Sequence, residues 1–153
     1  MARLDISMSP DEIDRFLSAL HTAVLSTLAR TGFPHMVGMW FVHTGDEVRM
    51  WTYGKSQKVQ NVRRDPRCAL LIEHGDSYNE LRGVLIRSEA QIIDDRRVVV
   101  EVGTALYRRY SLPASGEAAQ RSPEAEIDRQ AAKRVVLALA MERLVSWDHS
   151  KLR

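Results

Sequence analysis

The sequence predicts a mainly β domain, antiparallel, with helices at its periphery. Three observations point there. Runs of alternating or continuous apolar residues, each only about 5–12 long, recur along the chain and are closed by short Gly-containing turns. The helical signals are brief and lie between or beside those runs. No G-x-G-x-x-G follows a strand, which argues against a dinucleotide-binding Rossmann domain.

The elements follow in order. Ser9-Pro10-Asp11-Glu12 combines a capping residue, a first-turn proline and a capping-box glutamate. Ile13, Phe16, Leu17 and Leu20 then form one apolar stripe, so residues 10–20 read as an amphipathic helix. Residues 23–28, 33–43 and 48–53 read as three strands joined by Thr31-Gly32 and Thr44-Gly45-Asp46, an antiparallel meander. Ser56 to Arg64 reads as a short helix stopped at Asp65-Pro66, because proline disfavours helical backbone in the residue before it. Cys68 to Ile72 is a buried strand and Arg82 to Ile93 a longer one. Asp94-Asp95 opens a helix to about Tyr110, and residues 111–123 are loop-like, a candidate lid. Glu124 to Arg134 reads as a helix, and Val135 to Trp147 as a closing strand. The sum is six strands and three or four helices in one domain spanning residues 1–153.

Bulk properties narrow the function. The 153 residues suit a single core, and 44% apolar with 27% charged residues is the balance of a globular protein. The net charge of +2 argues against a general nucleic-acid binder. No apolar run reaches the roughly 18–20 residues of a membrane span, and the opening MARLDISMSP lacks a signal core. Cys68 is the only cysteine, so no internal disulfide forms, and a cytoplasmic location is expected. The five histidines show no HExxH or i, i+4 pairing, so no metal site is expected.

Two segments carry chemistry. In Trp51-Thr52-Tyr53-Gly54-Lys55-Ser56-Gln57-Lys58-Val59-Gln60-Asn61 a strand ends, a Gly turn follows and a helix begins with lysines in its first turn. Helix N-termini expose free N–H groups and a positive dipole end, so lysines there are unfavourable unless an anion is present. Each charge-assisted bond to phosphate would contribute roughly 1.5–3 kcal/mol. The plain alternative is a solvated basic surface. The second segment is Phe33 to Phe41, where Gly38 interrupts a strand flanked on one face by Met36 and Trp40. A strand glycine admits a flat ligand close to the backbone, or equally marks a bulge or tight strand packing.

These residues, in the order G-x-P-H…W, then K-S-x-K-x-x-N, then D-P-R, together with Tyr78 to Ala90 and Ser146 to Leu152, resemble the pyridoxamine 5′-phosphate oxidase-like, FMN-binding split-barrel superfamily. More narrowly the chain looks like its flavin/deazaflavin oxidoreductases of the B type, many of which bind coenzyme F420. The resemblance covers nearly the whole chain. It implies a six-stranded antiparallel split β-barrel and a homodimer with cofactor sites at the interface. It places the ring-binding strand on Met36, Gly38, Trp40 and Phe41, and the strand end before the phosphate helix on Trp51 and Thr52. The phosphate grip falls on Ser56, Gln57 and Lys58, with Lys55 and Asn61 beside it. Arg82 and Gly83 fall near the ring edge, and Trp147 and Lys151 would arrive from the other subunit.

The departures are informative. Met36 and Phe41 stand where vitamin B6 oxidases carry Arg and Lys, and Ser-Gln-Lys replaces their Ser-Arg-Lys grip. Lysine does not reproduce the bidentate geometry of the missing guanidinium. The resemblance therefore implies coenzyme F420 ahead of FMN, and an F420H2-dependent reductase of a small conjugated or quinone-like molecule. An FMN-dependent oxidoreductase, and a carrier or sensor of flavin, F420 or heme, are the other expectations. No catalytic side chain is required by this reading, since the cofactor carries the hydride chemistry. Cys68 reads as core, and no nucleic-acid or membrane partner is expected.

Overall fold

The computed structural model describes residues 4–19, 22–110 and 122–152. In chain order the elements are α1 (Pro10–Ser18), β1 (Ala23–Leu28), β2 (Pro34–Met39), β3 (Val42–Thr44), β4 (Glu47–Tyr53), α2 (Gln57–Arg64) and β5 (Arg67–His74). Then follow β6 (Arg82–Glu89), β7 (Gln91–Ile93), α3 (Arg96–Tyr110), α4 (Pro123–Ala131), β8 (Arg134–Ala140) and β9 (Arg143–Asp148). Short 3-10 turns occupy Tyr78–Glu80 and His149–Leu152. Leu20, His21 and residues 111–121, the body of the expected lid, lie outside the described residues.

The strands form two antiparallel sheets, ordered β2-β1-β5-β6-β9 and β3-β4-β8-β7. Three of the six expected strands are each split in two, which makes nine among the described residues. The run 33–43 breaks because Phe41 and Val42 are both buried, against the period-two alternation of a strand. Phe41 points into the core between the sheets and Val42 into the core under α3, so the chain bends and changes sheet. The expected meander therefore ends at Met39. Ala90 is the corresponding corner between β6 and β7, its N–H bonded to the Pro66 carbonyl at 2.8 Å. Val135 to Trp147 is a hairpin rather than one strand, turning at Met141, whose N–H bonds the Asp46 carbonyl at 2.8 Å.

Register follows from burial. Leu25 lies between Val37 and Leu70, Leu70 pairs Ile86, and Ile86 pairs Leu144, so one continuous apolar row faces inward across five strands. Val48, Met50, Val135, Leu137 and Leu139 answer it from the other sheet, and Phe41 fills the space between. The second sheet turns its other side, with Trp51, Val136 and Ala138, toward Val99, Val102 and Leu106 of α3. Gly103 makes that contact possible: a Cβ there would lie 2.9 Å from the Trp51 indole.

The start of α1 has the capping box its sequence announces, with Ser9 Oγ accepting from the Glu12 N–H and Glu12 accepting from the Ser9 N–H. α2 is pinned to the five-stranded sheet by Asn61, which is 0% exposed. Its Nδ2 donates to Thr27 Oγ1 at 3.0 Å, and its Oδ1 accepts from Gln57 Nε2 at 2.9 Å. Asn61→Ala should cost about 1–3 kcal/mol, because Thr27 and Gln57 lose their partner inside the protein. A urea midpoint equal to that of the parent protein would contradict this bracing role.

Candidate functional site

The split between the two sheets opens a cavity of about 530 Å³ where β2 leaves the first sheet. Its walls include Gly38 and Trp40 from the β2 end, Trp51 and Thr52 from β4, and Lys58 from α2. Val37 and Met39 of β2, with Thr22, Leu106, Gln130 and Arg134, complete it. Five of the sequence-derived candidates therefore meet on one surface.

Each is placed by a local cause. The turn into α2 is held from outside, since the Gly54 N–H bonds the Lys133 carbonyl at 2.9 Å and the Ser56 N–H bonds the Tyr53 carbonyl at 3.0 Å. Ser56 occupies the N-cap position with extended backbone, yet its hydroxyl caps nothing, and that Oγ is buried without a partner. Two residues on, in the first turn of α2, the Lys58 ammonium donates to Thr52 Oγ1 at 3.1 Å. Burial, and then the charge of Arg134, lower the Lys58 pKa below the usual lysine value. Arg134 opens β8 opposite Tyr53, and its guanidinium sits 4.5 Å over the Trp51 ring. Burial lowers its pKa as well. Among the described residues neither cation has a carboxylate within salt-bridge distance, and no carboxylate lines the cavity.

The aromatic wall is also prearranged. Trp40 stacks on Tyr110 at 4.9 Å and 11°. The Tyr110 hydroxyl spans the Phe41 N–H and carbonyl, both at 3.4 Å, so the stack is fixed to the corner where the chain changes sheet. The Trp51 Nε1–H is buried and has no acceptor. The cavity thus offers two cations and two indole rings, a set suited to a flat ring system bearing an anionic group, while Ser56 is not among its lining residues.

Other candidates lie elsewhere. Phe41 is fully buried in the core beneath Arg109, 4.7 Å from the guanidinium carbon, so its side chain does not reach the cavity. The reason is the sheet change, which turns it inward just after Trp40. Asn61 faces Thr27, and Gln57 turns back to Asn61. Lys55 is exposed, and Met36 is 63% exposed on the outer face of β2. Arg82, Gly83, Trp147 and Lys151 gather at the far edge of the five-stranded sheet. Four strand spacings of about 4.8 Å separate that edge from β2, so on the order of 20 Å of sheet lies between them. There Arg82 pairs with Asp148 at 3.5 Å, and the Trp147 ring covers Gly83. Lys151 donates to the Ser7 carbonyl and to Glu12 Oε2, each at 2.7 Å.

That last contact has a pH signature. The hydrogen bond from Lys151, followed by the Ser9 N–H, lowers the Glu12 pKa from 4.5 to about 2. A depressed carboxylate contributes its stabilisation above its unfolded pKa and loses it as the pH falls toward the folded value. Between about pH 4.5 and 2 the tie between α1 and the C-terminal turn should therefore loosen. Trp147 emission recorded through that interval should shift, and Glu12→Gln should abolish the component; an identical profile in both proteins would refute the assignment.

Arg134, Gln130, Leu106 and Thr22 are the residues that sequence reasoning missed. Only Arg134 carried a hint, as a charged residue opening an apolar run. Cys68 points inward, and burial raises its thiol pKa to about 11, which fits a core thiol and not a nucleophile. Among the described residues no cluster of three His, Cys, Asp or Glu side chains forms a metal site. No helix there is long and apolar enough to cross a membrane.

Comparisons with known proteins agree with this architecture. The family model described as pyridoxamine 5′-phosphate oxidase matches residues 9–148. A conserved hypothetical protein of Mycobacterium tuberculosis, Rv2991, is 37% identical, with 99% of this chain and 92% of that one aligned at a TM-score of 0.86. A protein named F420 reductase is 23% identical, with 86% and 94% aligned at a TM-score of 0.66. A putative pyridoxamine 5′-phosphate oxidase of Listeria innocua is 21% identical, with 88% and 95% aligned at 0.65. The last two identities establish likeness of fold only. No curated protein matches the chain. The match along almost the whole sequence, on a two-sheet β fold, shows that the chain belongs to the pyridoxamine 5′-phosphate oxidase-like family of flavin-binding oxidoreductases.

Proposed function

We propose that this protein is a coenzyme F420-dependent oxidoreductase that reduces a small conjugated or quinone-like molecule. The observation that carries the reading is Lys58: a partly buried cation in the first turn of α2, unpaired with any carboxylate among the described residues, on a cavity floored by Gly38 and walled by Trp40 and Trp51. An anion is the missing partner, and a flat ring fits the remaining walls. In this reading Lys58 holds the phosphate together with Ser56, the N-cap residue of the same helix. Gly38, with no side chain, allows the ring to approach the β2 backbone. Trp40, braced by Tyr110, orients the ring and excludes water from one side of it. When bound, the reduced deazaflavin supplies the hydride; the side chains bind and orient.

The same reading includes a homodimer. The outer face of the five-stranded sheet carries one apolar row across every strand, from Gly38 through Val24, Leu71 and Leu85 to Val145. Val145 is 50% exposed, and Trp147 lies one row away. Such a face is covered in a working protein. A second copy would also bring a Trp147 and a Lys151 toward a cavity that the chain's own copies, at the far sheet edge, do not reach.

FMN is the second reading, favoured by membership of a flavin-binding family. Titration of the purified protein with F420 and with FMN, followed by fluorescence, separates the two. Tight F420 binding with weak FMN binding, and turnover of a quinone by F420H2, supports the proposal; preference for FMN replaces it.

A further inference from the structure

We propose that Arg134 is a second phosphate anchor of this site, acting with Lys58 and making the site selective for phosphate-bearing ligands over their phosphate-free counterparts. The inference rests on the cofactor reading above and adds to it a residue from a different part of the chain.

The geometry is that of a presented guanidinium. Its carbon lies 4.5 Å over the Trp51 ring, so the indole covers one side of the cation. The guanidinium N–H groups are the ones that grip phosphate or carboxylate in a bidentate manner. Among the described residues no hydrogen bond or ion pair uses them, and the side chain lines the cavity.

The position is rigid. Arg134 pairs with Tyr53 in the β4–β8 register, and the preceding residue, Lys133, accepts the Gly54 N–H at 2.9 Å. The start of β8 is therefore fastened to the turn that leads into α2, and the guanidinium keeps its place relative to Lys58 and Ser56. Trp51 is itself seated against Gly103, where a Cβ would approach to 2.9 Å, so the surface on which the guanidinium stacks does not drift.

The energetics ask for an anion. Two partly desolvated cations face one cavity without a carboxylate to offset them, and each is held in a state its surroundings disfavour. A cation–π contact offsets only part of that cost for Arg134 and none for Lys58. A phosphate bound between them relieves both. If stacking on Trp51 were the only role of Arg134, placing it beside Lys58 would be a pure loss.

The test is a set of dissociation constants for F420 and for its ribityl-deazaflavin core without phosphate, with FMN and riboflavin as the parallel pair, on the parent protein, Arg134→Gln and Arg134→Lys. Arg134→Gln is expected to weaken F420 or FMN by about tenfold or more while the phosphate-free partner changes by less than about twofold. Arg134→Lys should recover only part of the loss, because charge returns without the fork. Equal weakening of both members of a pair, or no change in either, would overturn the assignment and leave Arg134 as a prop for Trp51. A parent protein that binds phosphate-bearing and phosphate-free ligands alike would instead remove the phosphate site itself, and this inference with it.

Discussion

Lys58→Ala is expected to raise the dissociation constant for the cofactor about tenfold or more, and to leave the protein as stable as before or slightly more so. The two effects have opposite signs for one reason. A charge-assisted hydrogen bond to phosphate contributes roughly 1.5–3 kcal/mol to binding, and that is lost. In the free protein the same ammonium is partly desolvated and lies within the field of Arg134, so its removal relieves a cost. The bond to the buried Thr52 hydroxyl, at 3.1 Å, offsets part of it. Calorimetric titration and thermal melting on the same samples read both signs. A variant that melts lower and binds as before would show that Lys58 braces β4 instead of holding ligand.

Gly83→Ala is expected to be a damaging single-carbon addition. The new Cβ would sit 2.1 Å from Cζ2 of Trp147, well inside contact distance, so the indole must leave its seat. Overpacking of this kind costs about 1–3 kcal/mol. For a chain of this size that is a fall in Tm of about 2–4 °C per kcal/mol. The displaced ring should also shift its emission to the red. If Trp147 serves the cavity of a second copy, cofactor affinity falls along with stability. A melting temperature and spectrum equal to the parent's would mean that the ring is free to move aside and that its seat on Gly83 carries no structural weight. In that event the far-edge cluster of Arg82, Trp147 and Lys151 would owe its arrangement to Asp148, Glu12 and Ser7 alone.

What the amino-acid order determined by itself was local. The capping box at Ser9, the strand at Ala23–Leu28, the stop at Asp65-Pro66 and the lysine-bearing start of α2 all depend on neighbours within a few residues, and all appear where their chemistry places them. Strand pairing was not local. The corner at Trp40–Phe41 exists because two adjacent apolar side chains drop into two different cores, and neither core is visible until the sheets are formed. That corner removed Phe41 from the cavity and left Trp40 on it. Asn61 matched a motif, yet its buried amide is spent on Thr27, a partner 34 residues away. Arg134 is the converse case. Its own segment offers only that it is a charged residue opening an apolar run, which suits a solvated arginine equally well. It joins Lys58 only because β8 pairs with β4, and a contact between residues 76 positions apart is decided by sheet register, which the burial of Val135 and Leu137 sets and no neighbouring residue announces.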